Sequence, residues 1–298
     1  MSNFDDIFSG QGDKPRWNDQ PFDKEAWAAK KQEERRELYA LADSTAAEIS
    51  GDGEKYQKYL DVQSRFSRYT PTNALLILAQ MPEATQLKDF DGWKEAGVSV
   101  QRKPKSVKIL EPGKEYDRED GTRGTSFEVK RVFDVSQTRG RVRSAPAVKL
   151  DDRVLLKALI HRTPVPIQTV DSLPNNMGAV YDHNQQVIFV CRGMGAEDIF
   201  RSVSKELAHA ELAGMRQDYN RSDAAFAAYS ASYLLCKKYG VDVTDYNFSR
   251  LPASFRECNP QQVRETLTEI RDTANQISTR MYRALEQNRT PKSKEQER

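Results

Sequence analysis

Glu206 and His209 stand one helical turn apart in Lys205-Glu206-Leu207-Ala208-His209, within the run AEDIFRSVSKELAHAELA at 196–213. A carboxylate and an imidazole at that spacing lie on one helix face. Metal-assisted hydrolysis from a helix needs two imidazoles at i and i+4 and an intervening glutamate that activates the bound water. Here the first ligand position is Lys205, whose ammonium would repel Zn²⁺. A single imidazole cannot build the usual three-ligand site. His183, Glu211, Asp218 and Asp223 could lend help, but nothing in their spacing demands it, and Asp223 suits the first turn of a helix through the dipole. The residues therefore predict no metal and no cofactor, with Glu206 a vestigial catalytic group and His209 a remnant ligand held by core packing.

A second set suits the binding of a single nucleic-acid strand: Arg65, Arg68, Tyr69, Asn73, Trp93, Lys94, Arg102, Lys103, Lys105 and Lys108, with Phe66 among them. Cations neutralise phosphates, and unstacked bases lie on aromatic faces, each worth about 1–3 kcal/mol. Phe66 and Trp93 have apolar neighbours and could equally be core. Tyr69, beside Thr70-Pro71, reads as the exposed aromatic. Arg102, Lys103 and Lys105 could form an ordinary solvated tip, and charge alone favours that account. Arg139, Arg141 and Arg143 could extend a phosphate track, though a basic linker is simpler.

The chain that must position these groups has 298 residues, 38% hydrophobic and 30% charged, with net charge +2. That length allows two ordinary domains. The near-neutral balance means that any basic face must be local. Cys191, Cys236 and Cys258 are odd in number and widely spaced, which fits reduced thiols in the cytoplasm. No apolar leader and no stretch of membrane-spanning length is visible, so neither secretion nor a membrane partner is expected.

Residues 1–20 and 288–298 are polar and read as disordered tails. A helix is predicted over 22–49, stopped at Gly51-Asp52-Gly53. A second, 54–68, exposes Tyr56, Tyr59, Arg65 and Arg68. Thr70 caps a buried helix that Pro82 ends. Asp89 to Ala96 is a helical turn holding Trp93. Val98–Val100 and Ser106–Leu110 read as strands about the basic tip, 113–125 as a loop, and Phe127–Val135 as a strand with Phe127, Val129 and Arg131 on one face. Beyond a basic connection at 141–150 come a helix at 151–161, a strand at 165–170, and a hairpin turning at Asp182-His183-Asn184. The 196–213 helix follows, then a helix capped by Ser222 and closed at Gly240. The last helix starts at Asn259-Pro260 and carries a stripe of Val263, Leu267, Ile270, Ala274, Ile277, Met281 and Leu285.

The run SRYTPTNALLILAQMPEATQLKDFDGWKEAGVSVQRKPKSVKILEP, followed by VFDVSQT at 132–138, resembles the N-terminal single-stranded DNA-binding domain of ArdC-type antirestriction proteins over roughly residues 20–140. Residues 165–250 resemble the small zincin metallopeptidase domain joined to it. That family usually carries a glutamate pair where this chain has Ala227-Ala228-Tyr229-Ser230 ahead of Tyr233-Leu234-Leu235-Cys236. Two of the three expected ligands are thus missing. The fold expected is α+β. N-terminal helices with a small antiparallel sheet span 21–140. After a linker at 141–150 comes a mostly helical, degenerate zincin-like domain with a short β-hairpin, 151–287. The resemblance implies a cytoplasmic, non-specific single-stranded DNA-binding protein of mobile-element type, with plasmid, conjugation or antirestriction roles and an inactive peptidase-like half. One alternative is a zinc metallopeptidase with a rewired site using Glu206 as base and His209 as ligand. Another is a protein–protein adaptor docking through the apolar stripe of the last helix.

Overall fold

The computed structural model describes residues 23–117, 121–140 and 150–289. The expected N-terminal tail, most of the 141–150 connection, Arg141 and Arg143 lie outside them, as does the expected C-terminal tail from residue 290; its first two residues, 288 and 289, continue the last helix.

Three helices open the chain: α1 (Lys24–Gly51), α2 (Gly53–Arg65) and α3 (Pro71–Gln80). Their starts follow from the sequence. The carboxylates of Asp23 and Asp52 accept the first free amides of α1 and α2, and Thr70 caps α3 with Pro71 in its first turn. A side chain at Gly53 would run into the Phe248 carbonyl, 1.9 Å from its Cβ, so glycine permits α2 to begin against that loop.

Strand β1 (Leu87–Lys88), helix α4 (Phe90–Glu95), and strands β2 (Ser99–Val100), β3 (Val107–Asp117), β4 (Arg123–Asp134) and β5 (Thr138–Arg139) follow. The long β3–β4 hairpin, with β1 on the far side of β4, makes an antiparallel sheet. The expectation of a loop over 113–125 is corrected: both strands extend into it, through a register shift between Pro112 and Glu115. The strands flanking the basic tip are also not a hairpin. β2 pairs with β5, and only β3 joins the larger sheet. Local reading paired neighbours in sequence, whereas the cross-sheet partners of β2 come from 138–139. Phe127 and Val129 do share a face, packed with Leu38, Leu76 and Leu110.

The second half contains α5 (Asp152–Leu159), strands β6 (Ile167–Val170), β7 (Ala179–Asp182) and β8 (Val187–Cys191), then α6 (Ala196–Met215), α7 (Arg221–Tyr239), α8 (Ala253–Arg256) and α9 (Pro260–Arg289). Its sheet has the order β6-β8-β7, with β6 parallel and β7 antiparallel to β8. The cap of α7 is Asn220, whose side chain accepts the amides of Ser222 and Asp223; Ser222 is not the cap. Gly240 ends α7 at φ 71°, in the left-handed region that glycine enters freely. Asn259 and Gln262 bond each other's backbone amides at the start of α9.

The architecture is α+β, as expected. One apolar core includes residues of α1–α3 together with α5–α9. Tyr56 and Tyr59 are not exposed: both are buried, and Tyr56 packs on Phe226, Phe248 and Phe255 while its hydroxyl meets Ser230 Oγ at 2.8 Å. The α9 stripe from Val263 to Met281 is buried in this core, with Leu285 partly covered. It is therefore not a free docking face, which corrects the adaptor alternative. Cys236 is buried too, and burial pushes its thiol up to about 11, so it stays protonated.

Candidate functional site

Helix α6 buries both members of the near-motif. Glu206 is 0% and His209 2% exposed. Phe200, Val203, Leu207 and Ala210 form the buried stripe beside them, which fixes the face they share. Strand β7 packs across that face and supplies Tyr181. Residues 216–221 wrap round the other side.

The Glu206 carboxylate is fully engaged. One oxygen accepts the Tyr181 amide at 2.8 Å. Arg221 Nη2 lies 2.9 Å from the other oxygen and 2.8 Å from the first. Lys205 Nζ stands 3.8 Å away. Arg221 Nη1 also donates to the Tyr181 carbonyl at 3.4 Å. His209 Nδ1 meets the Tyr219 hydroxyl at 2.9 Å. Burial first, then the charges of Arg221, Lys205 and Arg216, push His209 down to about 3, so its ring is neutral. Tyr219 sits between two histidines: its ring is 4.9 Å from that of exposed His183, which approaches the Tyr181 hydroxyl at 3.3 Å.

A metal-assisted hydrolase is a poor fit to this donor set. The carboxylate that would activate water is saturated by an amide and a guanidinium. The position of the first imidazole is an ammonium. Of the possible helpers, Glu211 is paired with Arg280, and Asp218 and Asp223 are exposed. Among the described residues no three His, Cys, Asp or Glu groups gather where an ion could sit.

The residues proposed for nucleic acid divide into two groups. Asn73 and Trp93 are structural, which corrects both. Asn73 is buried, and its side-chain amide makes a two-way bond with the backbone of Leu110 at 2.8 Å each way. Trp93 is 0% exposed and donates from its indole to the Phe133 carbonyl at 2.8 Å. Tyr69 is half-buried against Phe66, with ring centroids 5.8 Å apart, and is not the exposed aromatic expected. Phe66 itself is core. Lys108 is half-buried 4.0 Å from Glu34, and Gln80 bonds its backbone on both sides. Arg65 donates to the Pro82 carbonyl, and burial first, then the charge of Arg68, lowers the pKa of Lys238 on α7.

The rest converge on one corner. Chain order takes α4 directly into β2, and the 101–105 segment is tied back to the turn that leads into β5. Gln101 donates to the Gln137 carbonyl at 2.9 Å and Gln137 to the Lys105 carbonyl at 2.8 Å. This leaves Lys94, Arg102, Lys103, Lys105 and Arg139 exposed on a small lobe. Ion pairs on the neighbouring sheet engage Lys108, Arg123, Lys130 and Arg131 instead. Phe90, 59% exposed at the start of α4, is the aromatic that sequence reading missed. Nothing in its local pattern separates it from a core residue. Arg216, Tyr219 and Arg221 were missed as well. One signal existed for Arg221: a cation in the first turn of a helix opposes the dipole unless a carboxylate holds it.

No family model matches the chain. The uncharacterized protein pXO2-81 of Bacillus anthracis is 22% identical over 89% of this chain and 56% of its own length. The chain thus spans about half of that relative. Two crystal structures of the antirestriction ArdC protein from the R388 plasmid are similar at 17% identity over 72% of this chain. The metal-free structure gives a TM-score of 0.48 with 86% of that chain covered, and the Mn(II)-bound structure 0.49 with 85%. No helix among the described residues is long and apolar enough to cross a membrane.

Proposed function

We propose that the chain binds single-stranded DNA without base preference, through the corner built by α4, the 101–105 segment and β5. The observation that carries this reading is the exposure of Lys94, Arg102, Lys103, Lys105 and Arg139 on the linked elements α4, β2 and β5 and the segment between, with Phe90 exposed at the start of α4. Phosphates need exposed cations, and these five make no ion pair among the described residues; an exposed ring gives an unstacked base a face. Lys103 sits at φ 52°, a backbone state that costs a residue other than glycine about 1 kcal/mol or more. Arg102, Lys103 and Lys105 are three exposed cations within the four residues at that turn.

The motif resemblance supports a role on plasmid or conjugating DNA, antirestriction included, in the cytoplasm. The second half serves as a metal-free, peptidase-like body that carries the first.

Labelled single-stranded DNA and RNA, titrated at low and high salt, test this. Binding of DNA at low salt, weakened steeply by salt and by R102A/K103A/K105A, is expected. No binding at low salt, or equal binding by the triple variant, overturns the proposed surface. Binding of RNA alone would reassign the partner.

A further inference from the structure

Helix α6 keeps the glutamate of a water-activating site, yet the room in front of that glutamate is filled. The group that fills it comes from the next helix. Arg221, the first residue of α7, places one guanidinium nitrogen within 2.9 Å of both Glu206 oxygens. Its other terminal nitrogen reaches the Tyr181 carbonyl. We propose that Arg221 is an internal cation standing in for a metal ion at Glu206, and that the pair also closes the edge of β7.

Charge supports the first part. A carboxylate with no exposure needs a compensating cation. In a hydrolase the ion-bound water and the divalent ion behind it would meet that need, and a guanidinium does so here by direct contact, with permanent charge. Lys205, in place of an imidazole, adds a second cation at 3.8 Å, so the site holds more positive than negative charge before any ion enters. His209, the one imidazole on this face, bonds Tyr219 through Nδ1 and so could offer only Nε2, a single ligand atom.

Backbone pairing supports the second part. β7 is the outer strand of its sheet. Tyr181 is opposite Ile188 of β8, but the Ile188 amide turns the other way, to Pro166, and the Tyr181 amide goes to Glu206. Both outward groups of Tyr181, its N–H and its C=O, are therefore held by the Glu206–Arg221 pair. An outer strand beside a hydrolytic centre could template an extended peptide there. In this chain the ion pair takes that place.

The inference rests on the metal-free reading of the second half, and two measurements separate their failures. The first is metal content of the full chain after incubation with ZnCl₂ or MnCl₂ and desalting. The wild type is expected to retain neither in stoichiometric amount. One zinc per chain, lost in H209A, would sink the metal-free reading and the inference with it. The second is a thermal-melting cycle over E206Q, R221Q and E206Q/R221Q. If Arg221 is there to compensate Glu206, the double variant melts above R221Q, because removing the carboxylate relieves the uncompensated charge. Additive losses, with the double variant lowest, would overturn the role of Arg221 while leaving the metal-free reading intact. E206Q is isosteric and still accepts the Tyr181 amide, while R221Q removes the charge with a shorter polar side chain present in both arms of the comparison.

Discussion

Arg221 Nη2 lies 2.9 Å and 2.8 Å from the two carboxylate oxygens of a Glu206 with no solvent exposure, while the arginine side chain is 39% exposed. The two residues come from different helices, and the β7 backbone is bonded to both. The relation makes the centre of the second half an ion pair and not an open acid–base site.

Arg221→Ala should therefore destabilise the chain. Breaking a fully buried pair costs about 3–5 kcal/mol, because a charge is left uncompensated. Partial exposure of Arg221 and the nearby Lys205 reduce this to about 2 kcal/mol. Urea denaturation of the variant against wild type measures it, and a loss under about 0.5 kcal/mol would show that the pair is only a surface contact.

His209 gives a pH dependence. Its folded value is held at about 3 by burial and neighbouring cations, below the unfolded value near 6.5. Between these values the unfolded chain binds the extra proton, so stability falls as pH falls below 6.5. From pH 6.5 to 5 the loss from this group is about 2 kcal/mol, at about 1.4 kcal/mol per unit. Denaturation of wild type and His209→Gln across pH 7.5 to 5 checks it; parallel profiles would refute the assignment.

Asn73 separates structure from binding. Its amide bonds both the N–H and the C=O of Leu110 on the outer edge of β3. Asn73→Ala leaves both backbone groups unpaired in a buried place, a cost of about 2–3 kcal/mol. The melting temperature should drop while the folded variant binds single-stranded DNA as wild type does. A selective loss of binding would return Asn73 to the interface.

The basic corner predicts a salt slope. If Arg102, Lys103 and Lys105 each neutralise one phosphate, R102A/K103A/K105A should flatten the plot of log affinity against log salt by about 2, from roughly 0.7 per phosphate on a single strand. Phe90→Ala should weaken binding by about 1–3 kcal/mol with the slope unchanged. An unchanged slope in the triple variant would place the phosphates elsewhere.

Local signals in the chain determined the helices and their ends. Asp23, Asp52, Thr70-Pro71 and Asn259-Pro260 act through bonds within four residues, so they are legible without a fold. The α9 stripe also announced its own burial through its spacing. Lys205 weakened the metal reading on its chemistry alone. The tertiary structure decided everything that depends on distant partners. It sent Asn73 and Trp93 inward because Leu110 and Phe133, 37 and 40 residues away, offer backbone groups that need them. It separated β2 from β3 because β2 finds its partner at 138–139. And it put Arg221 against Glu206, 15 residues apart across a turn, where one guanidinium nitrogen reaches both oxygens of the buried carboxylate and the other reaches the Tyr181 carbonyl.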